Sequence, residues 1–361
     1  MKILITGNMG YVGPGVVTQL RTTFPEAVLV GYDMAYFASY LTNVTVLPES
    51  KLDKQLFGDI RTITPDVLKG VDTIIHLAAI SNDPMGNRYE NITLDINYKS
   101  SVRLAQMAKK AGVSTFIFAS SCSMYGAAED SAKTENSTLN PLTAYARSKV
   151  FTEKELEPLA DKNFTVTSLR FATACGMSDR LRLDLVLNDF VAGAVAAGKI
   201  NILSDGSPWR PLIHVKDMAR AIEWAVTRNF SNGGAFLAVN TGSDNWNYQV
   251  KELAQTVAGS IPGATVSLNK DAPPDKRSYR VNFNLYHSLA PNHQPVYTLP
   301  QAIHELYESL TAMEFKDGDF RNSLLMRLKV LTSLQESGKI NNDLEWTDKK
   351  IKLPKHTTMP V

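Results

Sequence analysis

The 361 residues exceed what one ordinary hydrophobic core organises, and at about 150 residues per unit roughly two are expected. With 44% hydrophobic and 20% charged residues, the composition is that of a globular protein and excludes a disordered or fibrous chain. Thirty-eight Lys and Arg against 36 Asp and Glu leave +2 with no cationic block, which argues against an electrostatically driven nucleic-acid binder.

The opening KILIT (2–6) is a short apolar, β-branched run ended by a glycine cluster, the pattern of a buried parallel strand. It is too short for a secretory h-region, and no apolar run approaches the ~20 residues of a membrane span. A cytoplasmic protein is expected. In the next stretch (11–24), Val12, Val16, Val17 and Leu20 share one helical face, and Pro14 is tolerable only in that helix's first turn. AVLVGYD (27–33) is a second strand, and the runs 71–79, 114–121 and 164–171 are three more. Helical patterns at 92–112 and 142–160 lie between them. This alternation implies right-handed βαβ units and an α/β fold, a Rossmann-type doubly wound parallel sheet. The second half predicts helices at 182–200, 214–228, 247–260 and 299–313, a Pro-rich charged loop at 271–280, and one tail helix from Asn322 to Gly338. Cys122 and Cys175 cannot make a disulfide framework, so both are expected to be small buried residues in a reducing compartment.

The turn after the first strand carries Gly7, Gly10 and Gly13 and opens a helix. Gly7 allows the tight turn, Gly10 a close approach of backbone to a pyrophosphate, and Gly13 close helix–strand packing. The free amides of Tyr11 and Val12 then face the anion. Such glycines also occur in plain surface turns; the strand before and the helix after favour the dinucleotide. Asp33, at the end of the second strand, stands where a carboxylate accepts from an adenosine ribose, and its charge repels a 2′-phosphate. The expected cofactor is NAD; no metal is expected.

Tyr145 and Lys149 lie four residues apart on one helical face. A nearby ammonium, together with a positive nicotinamide ring, favours the phenolate and suits the tyrosine to proton transfer. Ser120 and Ser121 end the strand before that helix, at the sheet edge where open α/β folds bind ligands.

TGxxGxxG, HLAA (76–79), SSCSMYG (120–126) and YARSK (145–149) together resemble the extended short-chain dehydrogenase/reductase family. Within it the chain, over about residues 1–310, is similar to the NAD-dependent epimerase/dehydratase branch acting on nucleotide sugars. The resemblance implies a Rossmann domain (1–172, with a returning segment about 211–245) and a smaller mixed α/β substrate domain (173–210 and 246–314). Residues 315–361 form an extension of no assigned role. It implies Ser121, Tyr145 and Lys149 as the catalytic set, with Ser123 as second choice for the hydroxyl. Asp59, Ile60, Leu77, Ala78, Ala79 and Asn97 would meet the cofactor. Thr173, Asn188 and Arg210 would meet the substrate, with Arg182 and Arg277 as further diphosphate candidates or, alternatively, solvated loop charges. Ser81, Asn82 and Asp83 are candidates for sugar hydroxyls, Asn82 and Asp83 being equally suited to capping a turn, and His214 is expected to be a structural hydrogen-bonder.

Two departures matter. Dehydratases of dTDP-glucose carry Asp-Glu where this chain has Cys122-Ser123, and galactose-pathway 4-epimerases carry Asn where it has Thr173. The implied activity is an NAD-dependent epimerase working through a transient 4-keto sugar. The alternatives are a 4-keto-sugar reductase and a non-catalytic NAD-binding regulator. The implied partners are a nucleoside-diphosphate sugar and a second copy of the chain, paired through the helices at 92–112 and 142–160.

Overall fold

A computed structural model of the chain describes residues 1–127, 131–268 and 277–347. Its strands are β1 (Lys2–Thr6), β2 (Val28–Asp33), β3 (Lys54–Phe57), β4 (Thr73–His76), β5 (Thr115–Ser121) and β6 (Thr165–Phe171). There follow β7 (Thr173–Cys175), β8 (Lys199–Ile202), β9 (Trp209–His214), β10 (Phe236–Thr241), β11 (Asn247–Gln249) and β12 (Thr265–Leu268). The first helices are α1 (Gly13–Thr23), α2 (Asp83–Arg88), α3 (Glu90–Leu94), α4 (Ser100–Lys110), α5 (Ala144–Leu156) and α6 (Val186–Ala197). The later ones are α7 (Val215–Thr227), α8 (Val250–Ser260), α9 (Asn284–Leu289), α10 (Leu299–Ala312) and α11 (Arg327–Glu336).

Seven strands form one all-parallel sheet in the order β3-β2-β1-β4-β5-β6-β10. The order reverses between β1 and β4, so a crevice opens beyond their carboxyl ends. Register aligns Thr6 with Tyr32 and His76, and Ser121 with Phe171, which brings the ends of β1, β2, β4, β5 and β6 to one edge. One face is covered by α1 and α7, with Val16, Val17, Leu20, Ile222 and Ala225 at 2% exposure or less. Leu104, Ala105 and Ala108 of α4 cover the other face. Each fully hidden Leu, Ile or Val contributes about 1.5–3 kcal/mol, which is why these two helices hold the sheet. Pro14 does sit in the first turn of α1.

The smaller unit has a core of its own, with Leu187 and Val191 of α6, Leu253 and Val257 of α8 and Ile303 and Leu306 of α10. Around it lie a three-stranded sheet (β11-β9-β7) and a two-stranded one (β12-β8). His214 joins the elements: it caps α7 by accepting from Lys216 N, bonds Glu305 of α10 at 2.8 Å, and stacks on Tyr297 with centroids 4.0 Å apart. Burial would raise the Glu305 carboxyl, but hydrogen bonds from His214 and Lys216 overcome it and hold the group at about 2. A carboxyl lowered on folding adds stability above its unfolded value near 4.5, and that stability is lost as pH falls through about 2. Urea unfolding of wild type and Glu305→Gln should therefore differ at pH 6 and converge toward pH 2.

Several elements differ from the sequence reading. The helix expected at 182–200 shrinks to α6, because Arg182 and Asp184 pair with each other and Leu185 is extended. Residues 247–249 pair with β9 as a strand, and Gln249 then caps α8 in a box with Glu252. The helix expected at 92–112 runs without interruption from Glu90 to Lys110 and differs only in carrying a π-helical turn, Asp95–Lys99, between α3 and α4. The tail is folded: Val330, Leu331, Leu334, Ile340 and Leu344 are buried in the same cluster as Val30, Ile74 and Leu104 of the large sheet's layer. Most of the predicted loop at 271–280 lies outside the described residues. Among the described residues no helix is long and apolar enough to cross a membrane.

Candidate active site

A cavity of about 740 Å³ lies at the crevice, a size usual for ligand sites. Its floor is the turn after β1. Gly7 has φ +77° and its amide donates to Tyr32 O at 2.9 Å; a Cβ there would lie 2.5 Å from Ala78 N. A Cβ on Gly13 would lie 1.9 Å from Asn8 O, so only glycine lets α1 start this close to the turn. Gly10 meets only Gly7 O, at 3.3 Å, and leaves its face open to the cavity. No side chain caps α1 and its first turn carries no acid, so its amides are available to an anion. This cradle fits the pyrophosphate of a dinucleotide.

Asp33 lines the cavity beyond β2, its carboxylate accepting from Met9 N at 3.0 Å and Ala35 N at 2.7 Å. Burial pushes its pKa up while the two amides oppose the shift. Asp59 caps the short turn Ile60–Thr62 and pairs with Arg61 at 2.7 Å, leaving Ile60 as cavity wall. Leu77, Ala78, Ala79 and Ser81 form the opposite wall after β4.

Thr143 caps α5 by accepting from Ala146 N and donates to Asp83 Oδ1 at 2.6 Å, which fixes where the helix begins and points Tyr145 into the cavity. Tyr145 lines the cavity together with Ser121 at the end of β5, near enough for that hydroxyl to act on its pKa. The neighbouring Ser120 is committed elsewhere, donating to Glu153 Oε1 at 2.5 Å. The pair therefore divides into one hydroxyl for the site and one for the core.

The expected effect of Lys149 on the phenol is not what the geometry gives. Lys149 donates to Ala119 O at 2.7 Å and lies 4.7 Å from the Phe118 ring centre and 5.4 Å from that of Tyr145. Burial lowers its pKa to about 7. Burial likewise pushes Tyr145 up to about 12, although the Ser121 hydroxyl pulls the other way. As it stands, the tyrosine is a proton donor.

Most expected residues come together. Ser121, Ser123, Tyr145, Lys149, Gly7, Gly10, Tyr11, Val12, Asp33, Thr173, Arg182, Arg210 and Arg277 all line the cavity, with Asn82 and Asp83 beside them. Asn82 is also the cap of α2, accepting from Met85 N. Asp83 pairs with Arg277 at 2.6 Å, and Arg210 donates to the carbonyls of Trp209 and Arg277. Arg182 is already held by Asp184 and by Ser81 at 2.9 Å.

Three residues are not brought to the cavity. Asn188, expected on a substrate phosphate, is wholly buried and bonds Gly176, Tyr11 and the carbonyl of Arg182. Asn97, expected on the cofactor, spends its amide on Ile80 N and O and supports the wall after β4 from behind. Gly13 acts through packing alone. Sequence reasoning missed Tyr36 and Phe37, Asp184, Tyr279, and Arg321, Met326 and Arg327 of the tail. Only the aromatics beside Asp33 carried a local signal.

The profile of the NAD dependent epimerase/dehydratase family matches residues 3–241, about two thirds of the chain. The chain belongs to that family. This family member is accordingly an enzyme, and NAD is its cofactor. It is 26% identical over 298 residues to a UDP-glucose 4-epimerase of Lactobacillus helveticus, covering 76% of this chain and 87% of that one. It is 25% identical over 288 residues to a dTDP-glucose 4,6-dehydratase of Streptomyces griseus, covering 78% and 85%. Its fold matches MoeE5 in complex with UDP-glucose and NAD, with a TM-score of 0.74, 23% identity, and coverage of 87% of this chain and 100% of that one.

Proposed function

We propose that this family member is a nucleotide-sugar epimerase that inverts one carbon through a transient 4-keto sugar. The carrying observation is that the Ser121–Tyr145 pair lines the same cavity as the glycine cradle and as Arg210 and Arg277. A sugar whose diphosphate meets those arginines presents its ring to the phenol. NAD, when bound, supplies the hydride acceptor and donor and a cationic ring that favours the phenolate. Tyr145 then takes the carbon-4 hydroxyl proton and later returns it, and Ser121 steadies the oxygen by hydrogen bonding. Lys149, 5.4 Å from the phenol's ring centre, would hold the ribose side of the cofactor.

Dehydration of the dTDP-glucose type is poorly served. Cys122 is fully buried, donates to Arg170 O and is raised far from ionisation, and Ser123 is no acid at neutral pH. One observation favours a second reading, 4-keto-sugar reduction: a phenol at about 12 is suited to giving a proton to a ketone.

The experiment is incubation with nucleoside-diphosphate hexoses, UDP-glucose first, followed by NMR of the sugar and absorbance of NADH. Inversion at carbon 4 with no net change in NADH supports epimerisation. Stoichiometric consumption of NADH with a 4-keto sugar supports reduction and overturns epimerisation; if neither outcome is seen, both readings fall.

We also propose a cytoplasmic homodimer formed through α4 and α5. Phe151 and Leu142 are 37% and 40% exposed there, and Tyr98 meets Phe151 edge-on. Phe151→Asp should turn a dimeric mass by light scattering into a monomeric one; a wild-type monomer would overturn this.

A further inference from the structure

The family profile ends at residue 241, yet the tail is built into the cavity's adenosine-side wall. Trp346 Nε1 donates to Met34 O at 2.7 Å, and its ring lies 5.7 Å from that of Tyr36, whose hydroxyl donates to Leu344 O. Arg61 reaches Asp343 O at 2.7 Å. The tail thus grips the turn that follows Asp33. From α11, Arg327 enters the same wall: Nη2 donates to Arg180 O at 2.7 Å, and the guanidinium lies 4.3 Å from the Phe37 ring centre.

Three arginines meet there, Arg180, Arg182 and Arg327, exposed by 0%, 5% and 1%. Arg180 pairs with Glu49 at 2.8 Å and Arg182 with Asp184 at 2.5 Å. Arg327 has no carboxylate within ion-pair distance among the described residues, and its Nη1, though buried, has no hydrogen-bond partner among them. A buried cation with an unsatisfied N–H destabilises a fold unless an anion arrives. Burial and the neighbouring Arg182 lower Arg327 only to about 9, so it is charged at pH 7.

The opposite lack exists across the cavity floor. The turn Thr6–Gly13 contains no Lys or Arg, so the cradle meets a doubly charged diphosphate with amide dipoles alone. We infer that Arg327, carried by the tail and set beside Phe37 in the cavity wall, is the counter-charge to the cofactor's diphosphate. The substrate's diphosphate is the weaker assignment, because Arg210 and Arg277 gather instead beside Asp83 and Trp209. The inference rests on the dinucleotide cofactor of the family.

Calorimetric titration of the full-length protein with ADP, adenosine, UDP and the 2′-phosphorylated dinucleotide NADP, together with melting of the unliganded protein, tests it. Arg327→Met should weaken ADP on the order of ten- to a hundredfold, leave adenosine and UDP within about twofold, and leave the melting temperature unchanged or higher. Arg327→Lys should recover part of the ADP affinity. Should Arg327→Met fail to fold, Arg327→Gln keeps the donor to Arg180 and carries the same expectation. Unchanged ADP affinity would overturn the inference. So would equal losses for ADP and adenosine with a lower melting point, which describe a structural prop. A loss confined to UDP would move the charge to the substrate, and one confined to NADP would move it to a 2′-phosphate; either overturns the assignment. Absence of ADP binding by wild type would overturn the cofactor reading itself, and this inference with it.

Discussion

Tyr145→Phe should lower kcat by about 10²–10⁴-fold while thermal unfolding and NAD content stay as in wild type. Removing one oxygen leaves the ring, the α5 cap and the packing unchanged. What disappears is the hydroxyl beside Ser121 that is able to exchange a proton with a sugar oxygen. The size follows from how little else can stand in. Lys149 is turned to Ala119 O, and Ser120 is tied to Glu153. Ser121→Ala should cost less, because it removes a partner of the reacting oxygen and keeps the proton carrier. Single-turnover rates with a saturating nucleotide sugar check both. Wild-type rates in Tyr145→Phe would remove the phenol from the mechanism.

Arg170→Met is the substitution expected to unfold the protein most readily, at a cost of about 3–5 kcal/mol. Arg170 on β6 and Glu153 on α5 are 7% and 5% exposed and joined by contacts of 2.7, 3.0 and 3.2 Å. Arg170 also donates to Tyr125 Oη and Glu135 O, and Ser120 donates to Glu153. Taking away the guanidinium strands a carboxylate in the interior whose remaining hydrogen bond comes from the Ser120 hydroxyl. Replacing Glu153 by Met as well removes the stranded charge, so the double variant should be more stable than Arg170→Met alone. Urea unfolding of the three proteins measures this, and additive losses would mean that the pair is not coupled.

What could be read from the chain beforehand was whatever is written locally. The run 2–6, the glycines and Pro14 punctuate one βα unit, and a strand ending in Asp33 completes the second, so half the cavity follows from short-range chemistry. β3 escaped because Lys54 and Phe57 are exposed on an edge strand, where no apolar alternation is imposed. Asn188 and Asn97 were misplaced because residue type says that an amide will be satisfied but not by what; backbone groups reached them first. The pairing of Lys149 with Ala119 O depends on where β5 ends relative to α5, and no spacing rule contains that. Arg327 was invisible for the same reason: its neighbours Phe37, Arg180 and Arg182 come from distant stretches of sequence.

The order in which this chain leaves the ribosome acquires a meaning from the tail's position. β1 and β2, with the turn that grips a nucleotide, emerge well before β10, which joins their sheet from residues 236–241, and the wall behind Asp33 is finished by residues as late as Trp346. A nascent chain therefore exposes a half-built pocket until the residues around Trp346 have followed, and firm capture of the nucleotide waits for them to dock.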